Sequence, residues 1–143
     1  MQWDMMIEME RKDNQSKQTF QEVVNLIEQI LSENGCPLDK GLSLKDEANN
    51  LIEEANEVRQ EILRKNINAE YLKEEIGDVL WDVILLSKIA EKRKLFSLDE
   101  MLELLKRKIK QRNPHVFGKE KANSLKEAIE AKRRAKREWK AKQ

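Results

Sequence analysis

Apolar residues return at intervals of three and four along nearly the whole chain, so the predicted elements are helices throughout. Phe20, Val23, Val24, Ile27, Ile30 and Leu31 keep to one face over residues 19–34, and Gly35 with Pro37 ends that run. Leu44, Ala48, Leu51, Ala55, Val58 and Ile62 mark a second helix over 44–65. After a short turn at 66–68, Leu72, Val79, Val83, Leu86 and Ile89 mark a third over 69–92. Its middle, 79–86, is almost entirely apolar, as in a helix covered on several sides. Met101, Leu102, Leu105 and Ile109 give a fourth over 98–111, closed by Asn113-Pro114 because proline disfavours helix in the residue before it. A last helix over 124–142 has only Leu125, Ile129 and Trp139 as large apolar residues and is expected to dock only partly.

The starts of these helices carry their own signals. Thr19-x-x-Glu22, Ser97-x-x-Glu100 and Ser124-x-x-Glu127 each pair a capping hydroxyl with a Glu that reaches back, and Ser43-x-x-Asp46 is a weaker version. The expected fold is all-α, an antiparallel helical bundle completed by dimerisation. Its single domain spans residues 19–118, between a polar segment at 1–18 and a basic helix at 119–143.

Composition narrows the class. Charged residues are 38% and hydrophobic residues 39% of the chain, with four Gly and two Pro, which suits long amphipathic helices better than a turn-rich sandwich or barrel. The net charge of +1 hides a segregation, since the last 25 residues hold ten Lys or Arg against four Glu. Such a tail can touch nucleic acid, but a basic helix is ordinarily a solvated face, and nucleic acid is not the expected partner. The lone Cys36 excludes an internal disulfide and a multi-thiolate zinc site. The first 17 residues are too polar for a signal peptide and no apolar run is long enough to span a membrane, so a cytoplasmic protein is expected.

Carboxylates sit where a core should be. At about 100° per residue, Glu75, Asp78 and Asp82 fall within roughly 60° of one another on the face that carries Val79, Leu86 and Ile89. Glu54, Glu57 and Glu61 border the apolar stripe of the preceding helix, with Glu53 a little further round. The short turn between the two helices makes them antiparallel neighbours, so the acids converge. A carboxylate removed from water costs several kcal/mol unless paired or bound to a cation. For a single Glu an ordinary salt bridge is the default, but Glu75 and Asp78 in mid-stripe favour a cation. An all-oxygen ligand set favours a hard one such as Mg²⁺.

The pattern Glu53-Glu54-Ala55-Asn56-Glu57, followed by Glu75-Ile76-Gly77-Asp78, resembles the EExxE and ExxD pair of the MazG-like nucleoside triphosphate pyrophosphohydrolases. The flanks Gly35-Cys36-Pro37-Leu38-Asp39-Lys40 and Lys108-x-x-x-Arg112-Asn113-Pro114-His115-Val116-Phe117 are similar to that family's loop and closing segment. Leu38 stands where the family usually has Trp, and the basic tail lies outside the motif. The resemblance implies an all-α homodimer or homotetramer that hydrolyses nucleoside triphosphates to monophosphate and pyrophosphate. Mg²⁺ would be the cofactor, with Mn²⁺ as a substitute, and clearing non-canonical nucleotides one physiological task. It implies Glu54, Glu57, Glu75 and Asp78 as metal ligands and Lys108 and Arg112 as phosphate contacts.

Glu53, beside the ligands, is the candidate to accept the proton of an attacking water. Asp82, one turn past Asp78 and outside the motif, is an extra acid or a nucleotide contact. His115, the only histidine, is far along the chain from the acids beside Val116 and Phe117, which favours a structural or interface role over a general base. Two alternatives stand beside this reading. One is an all-α dUTP or dCTP pyrophosphatase or a phosphoribosyl-ATP pyrophosphohydrolase; the other is a non-enzymatic helical adaptor that binds nucleic acid through its tail.

Overall fold

The computed structural model describes residues 2–143, which form helices and connecting turns. The helices are α1 (Gln2–Leu31), α2 (Pro37–Lys40), α3 (Leu44–Ile62), α4 (Ala69–Lys92), α5 (Leu98–Arg112), α6 (Pro114–Phe117) and α7 (Leu125–Ala141). They fall into two compact units that meet in sequence at Leu95 and Phe96.

In the first unit the expected start at Thr19 is wrong. Thr19 lies inside α1, and its hydroxyl donates to the Gln15 carbonyl at 2.9 Å instead of capping a helix. Nothing between Gln2 and Thr19 breaks a helix: the stretch has no Gly or Pro and is rich in Gln, Glu, Lys, Arg and Met. Pairs such as Glu8 with Lys12, 2.9 Å apart, lie one turn apart along it. The end falls where the sequence puts it. The Cys36 N–H donates to the Ile30 carbonyl at 2.8 Å, and a Cβ on Gly35 would stand 2.0 Å from that same oxygen, so only glycine fits the turn.

Ser43 and Asp46 form a complete capping box at the start of α3, and the Asn68 side chain caps α4 by accepting from the Glu70 and Tyr71 N–H groups. Three contacts fix how α3 meets α4. Glu61 reaches Asn68, Glu54 reaches Glu75 and Asp78, and Glu47 reaches Asp82. Residue numbers that rise on one helix as they fall on the other are the signature of an antiparallel pair.

α1 also packs on α4; α1 buries Val24 and Ile27, and α4 buries Ile84, Leu85, Ile89 and Ala90. Lys88 ties the two helices at the rim, 2.7 Å from Glu28. The expected apolar stripe of α3 is only half covered: Leu44, Ala48, Leu51 and Val58 are half-buried, while Ala55 and Ile62 are exposed. The residues that α3 buries fully are both acids, Glu47 and Glu61.

In the second unit a capping box of Ser97 and Glu100 starts α5, and α7 packs on α5 and α6. The final helix docks through small residues. Ala131 and Ala135 are buried, and Gln111 of α5 donates to the Ala135 carbonyl at 2.9 Å, whereas Leu125 and Ile129 point to solvent.

Candidate functional site

Glu54 from α3 and Glu75 and Asp78 from α4 bring carboxylate oxygens within 4.8 Å of one another. The α4 pair sits one turn apart and Glu54 faces it across the antiparallel contact, so the cluster follows from the spacing of the two motifs. Among the described residues, no Lys or Arg forms an ion pair with any of the three. The salt-bridge alternative therefore does not account for them.

Electrostatics reflect this. Burial, then the charges of Asp78, Asp82, Glu75 and Glu57, hold the Glu54 carboxyl above its ordinary value. Burial, then Glu57 and Asp78, do the same for Glu75. Like charges this close are costly unless a cation lies between them.

The donor set fits a hard divalent ion. Oxygens on opposite sides of Mg²⁺ stand about 4.2 Å apart, so a triad spread over 4.8 Å needs only a small closing movement. Glu57 is exposed and does not belong to the triad, although its charge is felt by both Glu54 and Glu75. Glu53 is exposed on α3.

Asp82 is half-buried next to the cluster, and with Glu54 and Asp78 it lines a polar cavity of about 240 Å³. Behind it lies Glu47, which has no accessible surface and which the sequence reading did not single out. One Glu47 oxygen accepts from Asn50 Nδ2 at 3.1 Å, while its Oε1 and the Asp82 Oδ2 are both buried without a hydrogen-bond partner. Burial above all pushes Glu47 up to about 7, with Asp82 adding to the rise. The signal was available: Glu47 is three residues past Leu44, four before Leu51 and seven before Glu54, which places it on the inward face of α3.

Lys108 and Arg112 lie one turn apart on α5 in the second unit. Lys108 is exposed, whereas Arg112 is half-buried with its Nε lacking an acceptor. His115 on α6 is half-buried with an unpartnered Nδ1, and lines a recess with Glu120, Glu127 and Arg134.

The fold and the cluster together define the class, an all-α protein that gathers an acidic triad between two antiparallel helices. More particularly, this chain belongs to the MazG nucleotide pyrophosphohydrolase family, whose domain matches residues 42–117. It is 35% identical over 120 residues to the nucleoside triphosphate pyrophosphohydrolase/pyrophosphatase MazG of Thermotoga maritima, covering 82% of this chain and 46% of that protein. It is 31% identical over 97 residues to the nucleoside triphosphate pyrophosphohydrolase of Escherichia coli strain K12, covering 68% and 36%. The chain thus spans less than half the length of these curated relatives. The crystal structure of a mazG-related protein from Thermotoga maritima superposes with a TM-score of 0.70 at 28% identity, covering 82% of this chain and 98% of that one. No helix among the described residues is long and apolar enough to cross a membrane.

Proposed function

We propose that the chain hydrolyses nucleoside triphosphates to nucleoside monophosphate and pyrophosphate, with Mg²⁺ as cofactor and Mn²⁺ as its substitute. The observation that carries this reading is the convergence of Glu54, Glu75 and Asp78 with no basic partner, in a chain of this family. The two curated relatives are named for the same activity.

Glu54, Glu75 and Asp78 would hold the ion, with Glu57 joining from the edge as its side chain swings in. When bound, such an ion neutralises phosphoryl oxygens and lowers the pKa of a coordinated water. The chain's own residues do the rest. Glu53, exposed one residue from Glu54, accepts the proton of the attacking water. Lys108 and Arg112 offer charge-assisted hydrogen bonds to the triphosphate, and Asp82 contacts the nucleotide.

We also read the folded unit as a homodimer or homotetramer. Leu26, Ile52, Ile76, Leu80 and Trp81 of the first unit are each at least 45% exposed, more large apolar surface than a lone chain ordinarily leaves uncovered.

The test is a panel of natural and modified nucleoside triphosphates incubated with the protein and Mg²⁺, with pyrophosphate and phosphate separated among the products. Pyrophosphate with monophosphate, lost in excess chelator, is the expected result. Release of single phosphates, or turnover indifferent to chelator, overturns the reading.

A further inference from the structure

Charge is divided between the two units. Residues 96–143 hold fifteen Lys and Arg against seven Asp and Glu, whereas the residues up to Leu95 hold thirteen against twenty, so a near-neutral chain joins a basic unit to an acidic one. Within the basic unit α7 alone has seven Lys and Arg against three Glu, and it turns most of them outward. At about 100° per residue, Lys126, Lys132, Arg133, Lys136, Arg137 and Lys140 share an arc of about 140°. That arc is centred almost opposite the buried Ala131 and Ala135. All six cations are exposed, and among the described residues none of them forms an ion pair.

The acids that could neutralise the arc are turned elsewhere. Glu127 accepts the Asn123 N–H at 2.7 Å at the helix start, Glu120 is paired with Arg134, and Glu130 lines the recess beside His115. Glu138 falls on the far side of the helix, near Ala131 in projection. A basic helix is ordinarily a solvated face, but here packing decides which side points out. With Ala131 and Ala135 buried and Gln111 bonded to the Ala135 carbonyl, the six cations form one continuous surface with no carboxylate in it.

The shape of that surface selects its partner. At 1.5 Å per residue the row runs about 21 Å from Lys126 to Lys140. A single triphosphate meets only a turn or two of it, and an acidic helix presents roughly one carboxylate per turn, while a duplex carries one charge per about 1.7 Å of its axis. The arc holds no aromatic residue on which an unpaired base could stack, since Trp139 is half-buried outside it. Its large apolar residues are Leu125 and Ile129, both in the first two turns and too few to anchor a helix in lipid.

We propose that the outer face of α7 is a docking surface for duplex nucleic acid, held through the phosphate backbone without base specificity. The inference is independent of the pyrophosphohydrolase reading, since none of the six residues belongs to the triad or to the phosphate contacts assigned to α5.

The experiment measures binding of the full chain to fluorescent DNA and RNA duplexes of about 24 base pairs by anisotropy, at about 50 to 200 mM salt. Chelator is present so that no divalent cation bridges the acidic triad to phosphate. The wild type should bind at least one duplex with a Kd of about 1–10 µM at the low-salt end and about a hundred-fold or more weaker at the high end, as neutralising about four to six phosphates requires. The duplex that binds identifies DNA or RNA as the source, and binding to both assigns the shared backbone. Lys132→Gln, Arg133→Gln, Lys136→Gln and Arg137→Gln together should weaken binding about thirty-fold or more, with helix content kept because Gln is a good helix former. Lys12→Gln, Lys17→Gln, Lys45→Gln and Lys65→Gln remove the same charge from the other unit and should change binding less than about five-fold.

No duplex binding at the low-salt end overturns the proposal, as does equal weakening in the two fourfold variants. A single strand of the same length that binds as tightly as the duplex also overturns it. Phosphatidylserine vesicles that bind more tightly than either duplex at equal anionic charge assign the face to a lipid surface instead. Salt-sensitive self-association, lost in the α7 variant while no duplex binds, assigns it to the acidic unit of a second copy. If the α7 variant loses helix, Arg133→Gln and Arg137→Gln decide singly: each should lower the slope of log affinity against log salt by about one, and an unchanged slope in both overturns the proposal.

Discussion

Glu61 accepts the Asn68 N–H at 2.8 Å across the turn that joins α3 to α4. Its other carboxylate oxygen is 3.0 Å from Arg64, and the side chain is almost entirely buried. Glu47, Glu54 and Glu61 are spaced by seven on one face of α3, yet their fates differ. Glu61 closes a turn, Glu54 joins the triad, and Glu47 backs Asp82.

Glu61→Ala should therefore lower stability by about 1–3 kcal/mol, since it strands a backbone donor beside the Asn68 cap. Urea denaturation checks this. A loss below about 0.5 kcal/mol would show that water replaces the carboxylate at no cost.

Glu54→Gln and Asp78→Asn should act in the opposite sense on stability. Each removes a charge from the unpaired triad, so in chelator the variants should melt at or above the wild-type temperature. Their cation binding and turnover should fall by about a hundred-fold or more. A variant that keeps most of its turnover would remove that residue from the metal site.

Without a cation, stability should fall as pH rises from about 4.5 to about 7. Burial, chiefly, lifts Glu47 from 4.5 to about 7 in the folded chain, and burial with neighbouring acids lifts Glu54 and Glu75. In that window the folded state binds more protons than the unfolded one, so raising the pH favours unfolding. Glu47 accounts for on the order of 2–3 kcal/mol of the change. Asp46 and Glu103, held low by hydrogen bonds with Ser43 and Lys106, have the opposite sign, but their contributions fade only below their ordinary values of 3.8 and 4.5. Melting in chelator from pH 5 to 8 should thus slope downward, and Glu47→Gln should flatten it. A flat wild-type profile would contradict the burial of an ionisable Glu47.

What the sequence concealed follows from the same residues. Capping motifs at Ser43, Ser97 and Ser124 and the antiparallel meeting of Glu54 with Glu75 and Asp78 are local or one-turn relations, legible from spacing alone. Thr19 misled because a capping motif marks a start only where the preceding chain cannot be helical, and here it can. Glu47 stayed hidden because an acid on an apolar face reads as a border residue until a second acid, Asp82, is seen opposite it. Glu61 resembles one more convergent charge because, besides Arg64, its partner is a backbone N–H, which no side-chain pattern records. The docking face of α7 leaves no mark in the pattern of large apolar residues, because close helix contact there uses Ala131 and Ala135.

That face sets the last prediction, which concerns the basic tail. Truncation after Gly118 removes ten basic and four acidic residues and with them all of α7. Ala131 and Ala135 go with it and Gln111 loses the Ala135 carbonyl, so α5, whose Leu102, Leu105 and Ile109 are already partly exposed, is left with little to hold it. Circular dichroism should show a loss of helix greater than the 17 residues of α7 alone. A gentler probe of the same contact is Ala135→Leu, which forces a large side chain into a site only 2% exposed and should cost about 1–3 kcal/mol. Cation binding by Glu54, Glu75 and Asp78 should survive both changes, because the triad is built wholly from α3 and α4. Turnover should fall in the truncated chain, since Lys108 and Arg112 ride on α5. If helix loss matches α7 alone and turnover persists, the tail is a solvated appendage. If hydrolysis is absent with and without the tail while the full chain shows a salt-sensitive nucleic-acid affinity that truncation abolishes, the tail carries the function.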